Sequence, residues 1–186
     1  MDIFKAIIER RSVYPRQFKT TSVEDSTIKE LLELANWAPT HRKTEPWRFK
    51  IMTGDFKHKA GAFFKEIYLT TTDKPKQFKA NKILEKFEQS SHVIAVCMQR
   101  DANESVPEWE EIAATSMAVQ NMWIGARELN LGMYWSTPGY KDYLSQLMPL
   151  ANGETCLGFL YIGYFDETQE YLNRQSSIED KTTWYS

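Results

Sequence analysis

Apolar residues at Ile3, Phe4, Ile7 and Ile8 recur with the spacing of a one-sided helix over residues 2–11, and Pro15 closes it. Residues 25–37 predict a second helix, with Ile28, Leu31, Leu32 and Ala35 at i, i+3, i+4 and i+7. Thr27 and Glu30 offer it a capping box, and Pro39 sets its end. WRFKIMTG (47–54) alternates as a strand does, and helical spacing returns over 56–70 and 76–89 around Phe63, Phe64, Ile67, Ile83, Leu84 and Phe87. HVIAVCM (92–98) is a short unbroken apolar run, which marks a central strand. Beyond Pro107, residues 109–129 predict the longest helix, with a face of small residues and methionines (Ala113, Ala114, Met117, Ala118, Met122, Ala126) that lets another helix come close, in the core or across a dimer. GMYWST (132–137) reads as a strand ending at the Pro138-Gly139 turn, 140–148 as a short helix, and CLGFLYIGYF (156–165) as a strongly apolar strand. From Asp166 the chain is polar without a long periodic element, and such a tail frays unless it docks on something.

This order predicts an α+β fold, or a mixed sheet covered by helices, in a single domain spanning 1–186. A compact chain of 186 residues buries roughly 70% of its unfolded surface, so a full core is within reach. The longest apolar run falls far short of the roughly 20 residues of a membrane span, and the N-terminus lacks the pattern of a signal peptide. The expectation is a cytoplasmic protein with no membrane partner. Cys97 and Cys156 sit in apolar runs without CxxC spacing or a histidine neighbour, which reads as buried reduced thiols. A net charge of -2 and a pI near 6.0 argue against a nucleic-acid partner, and no RNP-like run supports an RNA-binding module.

What is missing narrows the chemistry. The eight glycines supply neither GxGxxG nor a Walker A loop, and no GxSxG is present. His41, His58 and His92 show no ligand spacing, so no metal site is expected, and His92 reads as a structural residue at the head of a strand. Lys74, Lys76, Lys79, Lys82 and Lys86 form a basic run. Interleaved with Glu85 and Glu88 it reads as a solvated face; its functional reading is a positive lip that steers an anionic, phosphorylated reductant.

Two segments carry chemistry. Arg10, Arg11 and Ser12 combine guanidinium groups suited to a bidentate grip on phosphate with a hydroxyl donor, although cations also suit the negative end of a helix dipole. WAPTHRKTEPWRF (37–49) places Thr40, His41, Arg42, Lys43 and Glu45 on a loop pinned between a helix stop and a strand. With GMYWSTPG and CLGFLYIGY, these segments resemble, in order and over nearly the whole chain, the motifs of the nitroreductase family of FMN-dependent oxidoreductases, in particular its short bacterial members. The resemblance implies a central mixed or antiparallel sheet flanked by helices and a homodimer with FMN at the subunit interface. It implies that Arg10, Arg11 and Ser12 bind the FMN phosphate and ribityl chain, that Trp37 and His41 reach the partner's flavin, and that Trp135, Ser136 and Thr137 line the flavin edge. The tail after Asp166 would then wrap the partner. Hydride would pass in ping-pong fashion from NADH or NADPH through the flavin to a small electron acceptor such as a nitroaromatic, quinone or enone. Three departures stand out: Glu45 replaces the family's glutamine, the arginine of the short members' I-W-R-S-G segment is missing, and the tail has no obvious basic cluster. They keep open a non-catalytic flavin sensor or storage protein on the same scaffold.

Overall fold

The computed structural model describes residues 2–166 and 174–186. In chain order they form α1 (Ile3–Glu9), α2 (Asp25–Asn36), β1 (Trp47–Met52), α3 (Gly54–Thr71), α4 (Gln77–Gln89), β2 (His92–Gln99), α5 (Glu108–Glu128), β3 (Leu131–Ser136) and β4 (Glu154–Tyr164). The four strands form one antiparallel sheet in the order β1-β2-β4-β3. The choice the sequence leaves between mixed and antiparallel therefore falls to the antiparallel side. Among the described residues the one parallel feature is an isolated bridge from Ser12 to Met133, which lays the exit of α1 along the edge of β3.

β2 lies between two neighbours, so its unbroken apolar run is buried from His92 to Met98. Alternate residues then serve two cores. Ile94, Val96, Met133, Leu160 and Ile162 meet α2 and α5, while Val93, Ala95, Cys97, Phe159 and Tyr161 meet Phe64 of α3 and Ile83 and Phe87 of α4. Cys97 and Cys156 face each other across β2 and β4 as buried free thiols.

His92 is buried, with Nδ1 3.0 Å from Ser91 Oγ and Nε2 3.0 Å from Asp25 Oδ1, so it ties the head of β2 to the first turn of α2. The expected capping box on α2 does not form. The helix starts at Asp25, with Glu24 at the cap position, which puts Thr27 inside the first turn. The expected helix at 140–148 is a 3₁₀ segment, Gly139–Gln146. α1 departs most from a one-sided core helix: only Ala6 is buried, and Ile3, Phe4, Ile7 and Ile8 face outward, with Phe4 72% exposed. The stretch 167–173 of the polar tail lies outside the described residues. Beyond it Trp184 and Tyr185 are almost fully exposed.

β4 carries an irregularity opposite Val96 and Cys97, where Leu157 is extra. The bend is completed by Gly158 at φ +154°, a backbone conformation that residues with a Cβ rarely adopt. A Cβ there would lie 2.5 Å from Ser136 O and 2.8 Å from Trp135 Nε1, so the absent side chain is what lets the end of β3 close on β4. Gly158→Ala is expected to cost about 2–4 kcal/mol of stability, from the overpacking and the strained φ together. The denaturation midpoint measures it, and an unchanged midpoint would contradict the steric role given to this glycine.

Candidate functional site

The end of α1 sets the first cluster. Arg10 takes the C-cap position and the chain turns extended, so that Val13 N donates to Met133 O at 3.0 Å. The Arg10 guanidinium lies 4.6 Å from the centre of the Trp123 ring on α5, and Trp123 Nε1 donates to Arg11 O at 3.1 Å. Arg11 turns back on the helix end, donating to Ile8 O at 2.6 Å and Arg10 O at 2.9 Å. Glu9, beside them, is held by Arg127 at 3.0 Å. Burial first, then the charges of Arg174 and Arg11, push the Arg10 guanidinium below its ordinary value. Arg174 comes from the tail, so the structure adds a third guanidinium that the sequence did not flag. Among the described residues Arg10 makes no ion pair, and a cluster of like charges beside an exposed serine hydroxyl, Ser12, is the chemistry of an anion site.

From this cluster the site runs along the edge of the sheet. Ser12 bridges to Met133, and Tyr14, two residues on, packs at a 40° tilt against Tyr134 with ring centres 4.6 Å apart. Lys86 of α4 reaches over the same Tyr134 ring, its Nζ 5.4 Å from the centre. Burial and the neighbouring Lys82 lower the Lys86 pKa from its ordinary value. Past Ser136 the strand ends, and Pro138 and Gly139 open a cavity of about 660 Å³ that also takes in Lys82, Lys86 and Tyr140. Trp135, Ser136 and Thr137 contribute to this end indirectly. The Trp135 side chain packs toward the α2 and α5 core, and its buried Nε1 has no hydrogen-bond partner among the described residues; Ser136 O and Thr137 crowd Gly158.

Trp37 and His41 stand elsewhere. Trp37 follows α2 and is 79% exposed, with Nε1 bonded to Glu33 Oε1 at 3.1 Å. His41 Nδ1 lies 2.6 Å from Glu110 Oε2, at the opposite end of α5 from Trp123. Thirteen residues of helix separate Glu110 from Trp123, roughly 20 Å, so one protomer does not bring His41 to Arg10. Trp37 sits by the second half of α5, where the Leu34 carbonyl that accepts its N–H at 3.3 Å also accepts from Asn121 at 3.2 Å. The His41 loop is strained: Arg42, Lys43 and Glu45 have φ of 52°, 57° and 42°. Non-glycine residues in that region cost about 1–3 kcal/mol each and collect at functional sites. The Glu45 N–H is held by Thr40 Oγ1 at 3.2 Å and its carbonyl by Arg48 at 2.9 Å. The exposed Glu45 side chain forms no ion pair with Arg42 or Lys43 among the described residues.

Sequence reasoning named Arg10, Arg11 and Ser12, and the structure brings them together with the end of β3. It did not single out Tyr14 and Lys86, which meet at Tyr134, or Arg174, which comes near Arg10. Lys86 was visible only as one lysine of a basic run, and its distinguishing signal, a position on the inner face of α4 seven residues from Lys79, needs the helix phase.

The nitroreductase family's sequence profile matches residues 7–164, and the chain belongs to that family. It is 30% identical over 183 residues to YfhC of Bacillus subtilis strain 168, which is named provisionally as an NAD(P)H nitroreductase; the match covers 95% of this chain and 91% of that protein. A crystal structure of a nitroreductase-like family protein from Bacillus cereus shares 31% identity and superposes with a TM-score of 0.81, covering 100% of this chain and 96% of the other. The FMN-dependent nitroreductase NfnB from Mycobacterium smegmatis, solved in complex with NADPH, is 15% identical and shares the fold at a TM-score of 0.76, covering 98% and 97% of the two chains.

An anion seated among Arg10, Ser12 and Arg174 should stabilise the protein by linkage, by about 1.4–2.7 kcal/mol at free anion ten- to a hundredfold above its Kd. Phosphate raises the thermal midpoint of any protein to some degree. The discriminating result is therefore a larger rise for the native chain than for Arg10→Ala; equal rises in the two would remove the anion site.

Proposed function

We propose that the whole chain is one FMN-binding unit of an NAD(P)H-dependent oxidoreductase that reduces small electron-poor acceptors and works as a homodimer. One observation carries the reading. A cationic clamp at the end of α1 continues, within one protomer, through the Tyr14–Tyr134 pair to a half-buried lysine and an open cavity. The clamp fits a phosphate monoester: two guanidiniums that repel each other and a hydroxyl donor supply what a dianion needs. The aromatic pair and Lys86 fit a flat ring system, since an aromatic face accepts stacking and a desolvated ammonium supplies positive potential at the ring end. Bound there, FMN supplies the hydride chemistry, taking two electrons from a reduced nicotinamide and passing them to an acceptor.

The chain's own residues bind, orient and exclude. Arg10, with Trp123 beneath it and Arg174 beside it, anchors the anionic end. Trp123 also fixes the Arg11 carbonyl, which keeps the exit of α1 against α5. Gly158 lets the Ser136–Pro138 turn close on β4, and that turn sets the rim of the cavity. Lys86, desolvated by burial and beside Lys82, places an ammonium at the far end of the site. His41 belongs to the site of the second subunit in this reading, because it stands roughly 20 Å from the clamp of its own chain, and Trp37, exposed at the end of α2, is assigned to that site with it. The outward stripe of α1 supports a dimer, since a contiguous apolar patch on a soluble chain marks an interaction surface. Among the described residues no helix is long and apolar enough to cross a membrane. The free buried thiols of Cys97 and Cys156 support a reducing, cytoplasmic address.

The purified protein should show oxidised-flavin absorbance, and anaerobic NADH or NADPH should bleach it. Flavin that neither nucleotide reduces would favour a sensor or store, and failure to take up FMN would remove the flavin reading altogether. Arg10→Ala should weaken FMN binding about tenfold to a hundredfold, the loss expected for a charge-assisted contact. Separately, light scattering should give a dimer for the native chain and monomer for Phe4→Glu with Ile8→Glu. A native monomer would exclude the shared site.

A further inference from the structure

Lys79, Lys82 and Lys86 stand at i, i+3 and i+7 of α4 and therefore share one face of the helix. The structure splits the basic run of the sequence along this face. Lys79, Lys82 and Lys86 line the 660 Å³ cavity, whereas Glu85 and Glu88 do not. Opposite them stand Tyr140 and Tyr143 of the 3₁₀ segment. The acidic lining residue, Asp142, is already engaged by Lys141. Lys82 packs its ammonium 5.7 Å from the Phe78 ring, and it lies close enough to Lys86 to lower that group's pKa. The wall is thus a row of three cations about 10 Å long, with its innermost member at the ring end of the candidate flavin site and its outer members at the mouth. The volume suits a molecule of a few hundred daltons, and aromatic and aliphatic surfaces hold its flat part.

We propose that Lys79 and Lys82 form a subsite for the anionic group of the molecule that exchanges electrons at this site, so that the enzyme selects anionic over neutral substrates. The inference rests on the oxidoreductase reading and specifies it. Lys86 belongs to the ring-binding end; Lys79 and Lys82 lie beyond it and select what enters. The shared chemistry is a phosphate or carboxylate carried on a planar ring. Two sources provide it: the phosphates of the reduced nicotinamide nucleotide, and an acidic substituent on the acceptor.

The test compares the FMN-loaded native protein with Lys79→Gln, Lys82→Gln and the double variant. These exposed substitutions remove the charge and keep part of the apolar stem of the side chain. Calorimetry measures binding, and steady-state kinetics measures KM, for two matched pairs of probes. One pair is NADPH and the uncharged donor N-benzyl-dihydronicotinamide; the other is para-nitrobenzoate and para-nitrobenzamide. At low ionic strength each lysine lost should raise Kd and KM for the anionic member by about threefold to tenfold, with the neutral member unchanged, and high salt should erase the difference. An effect confined to NADPH assigns the wall to the reductant, and one confined to para-nitrobenzoate assigns it to the acceptor. Turnover of neutral substrates with no charge discrimination in either pair overturns the subsite and leaves the oxidoreductase reading standing. Charge-selective binding by calorimetry without turnover does the reverse.

Discussion

The close approach of α5 to the sheet is the contact on which the rest of the molecule depends. Ala114, Ala118, Met122 and Ala126 are buried against Ile94, Val96, Met133, Leu160 and Ile162, and α2 packs on the helix with Leu31 and Ala35. Small side chains let the helices meet at short range. At Gly125 the Leu34 side chain lies over the helix: a Cβ there would come within 2.2 Å of Leu34 Cδ1 and would displace that methyl. The helix is also pinned at its start. Buried Glu111 pairs with Arg100 and accepts the Asp101 N–H at 2.8 Å, which ties its first turn to the exit of β2. Fixed in this way, α5 presents Glu110 to His41 at one end and Trp123 to Arg10 and Arg11 at the other. Both halves of the candidate site are therefore positioned by one element.

The unfavourable features of the structure collect at the same places. Two guanidiniums press on Arg10, Lys86 is desolvated beside Lys82, Trp135 Nε1 is buried without a partner among the described residues, and three residues of the 42–45 loop hold left-handed φ values. β2 shows the opposite case, local preference and global fold agreeing in its unbroken burial. Departures from the rules of stable folding that cluster in space are the signature of residues placed for a ligand rather than for stability. The positive charge at the two ends of the site is the most direct case, because an anion would convert mutual repulsion into shared attraction.

How much was legible in the sequence follows from which signals are local. β2 and β4 were readable because burial on both faces leaves continuous apolar runs, and α5 because its small-residue face has helical period. The Arg10-Arg11-Ser12 segment and the family motifs gave the flavin expectation, which the family membership now supports. Three things were not legible. Periodicity shows that α1 is amphipathic but not which way its apolar stripe points, since Ala6 alone supplies its buried contact. The start of α2 at residue 25 was legible but its cap was not: Glu24 takes the cap position without a side-chain bond, and the Asp25 carboxylate meets His92 67 residues away. Arg174, Tyr14 and Lys86 come from three separate segments: Tyr14 and Lys86 meet at Tyr134 of β3, and Arg174 comes near Arg10.

In the proposed dimer one geometric requirement ties these features together. Each chain holds a clamp at one end of α5 and the strained His41 loop at the other, roughly 20 Å apart. A two-fold axis crossing α5 near its middle would set the two copies antiparallel, with the partner's His41 loop beside the clamp of the first chain and the reverse at the second site. Such an isologous contact uses the same patch on both chains and generates two identical sites in one step. The exposed apolar residues fit this arrangement: Trp109, Ile112 and Met117 lie on the first half of α5, and Trp37 and Leu34 lie on and just after α2, which packs beside it. The stripe of α1, carried on the second half of α5 through the Glu9–Arg127 pair, extends the same surface toward the clamp. Dimerisation and cofactor binding would then be coupled, because the surface that excludes water from the apolar stripe is the surface that completes each site.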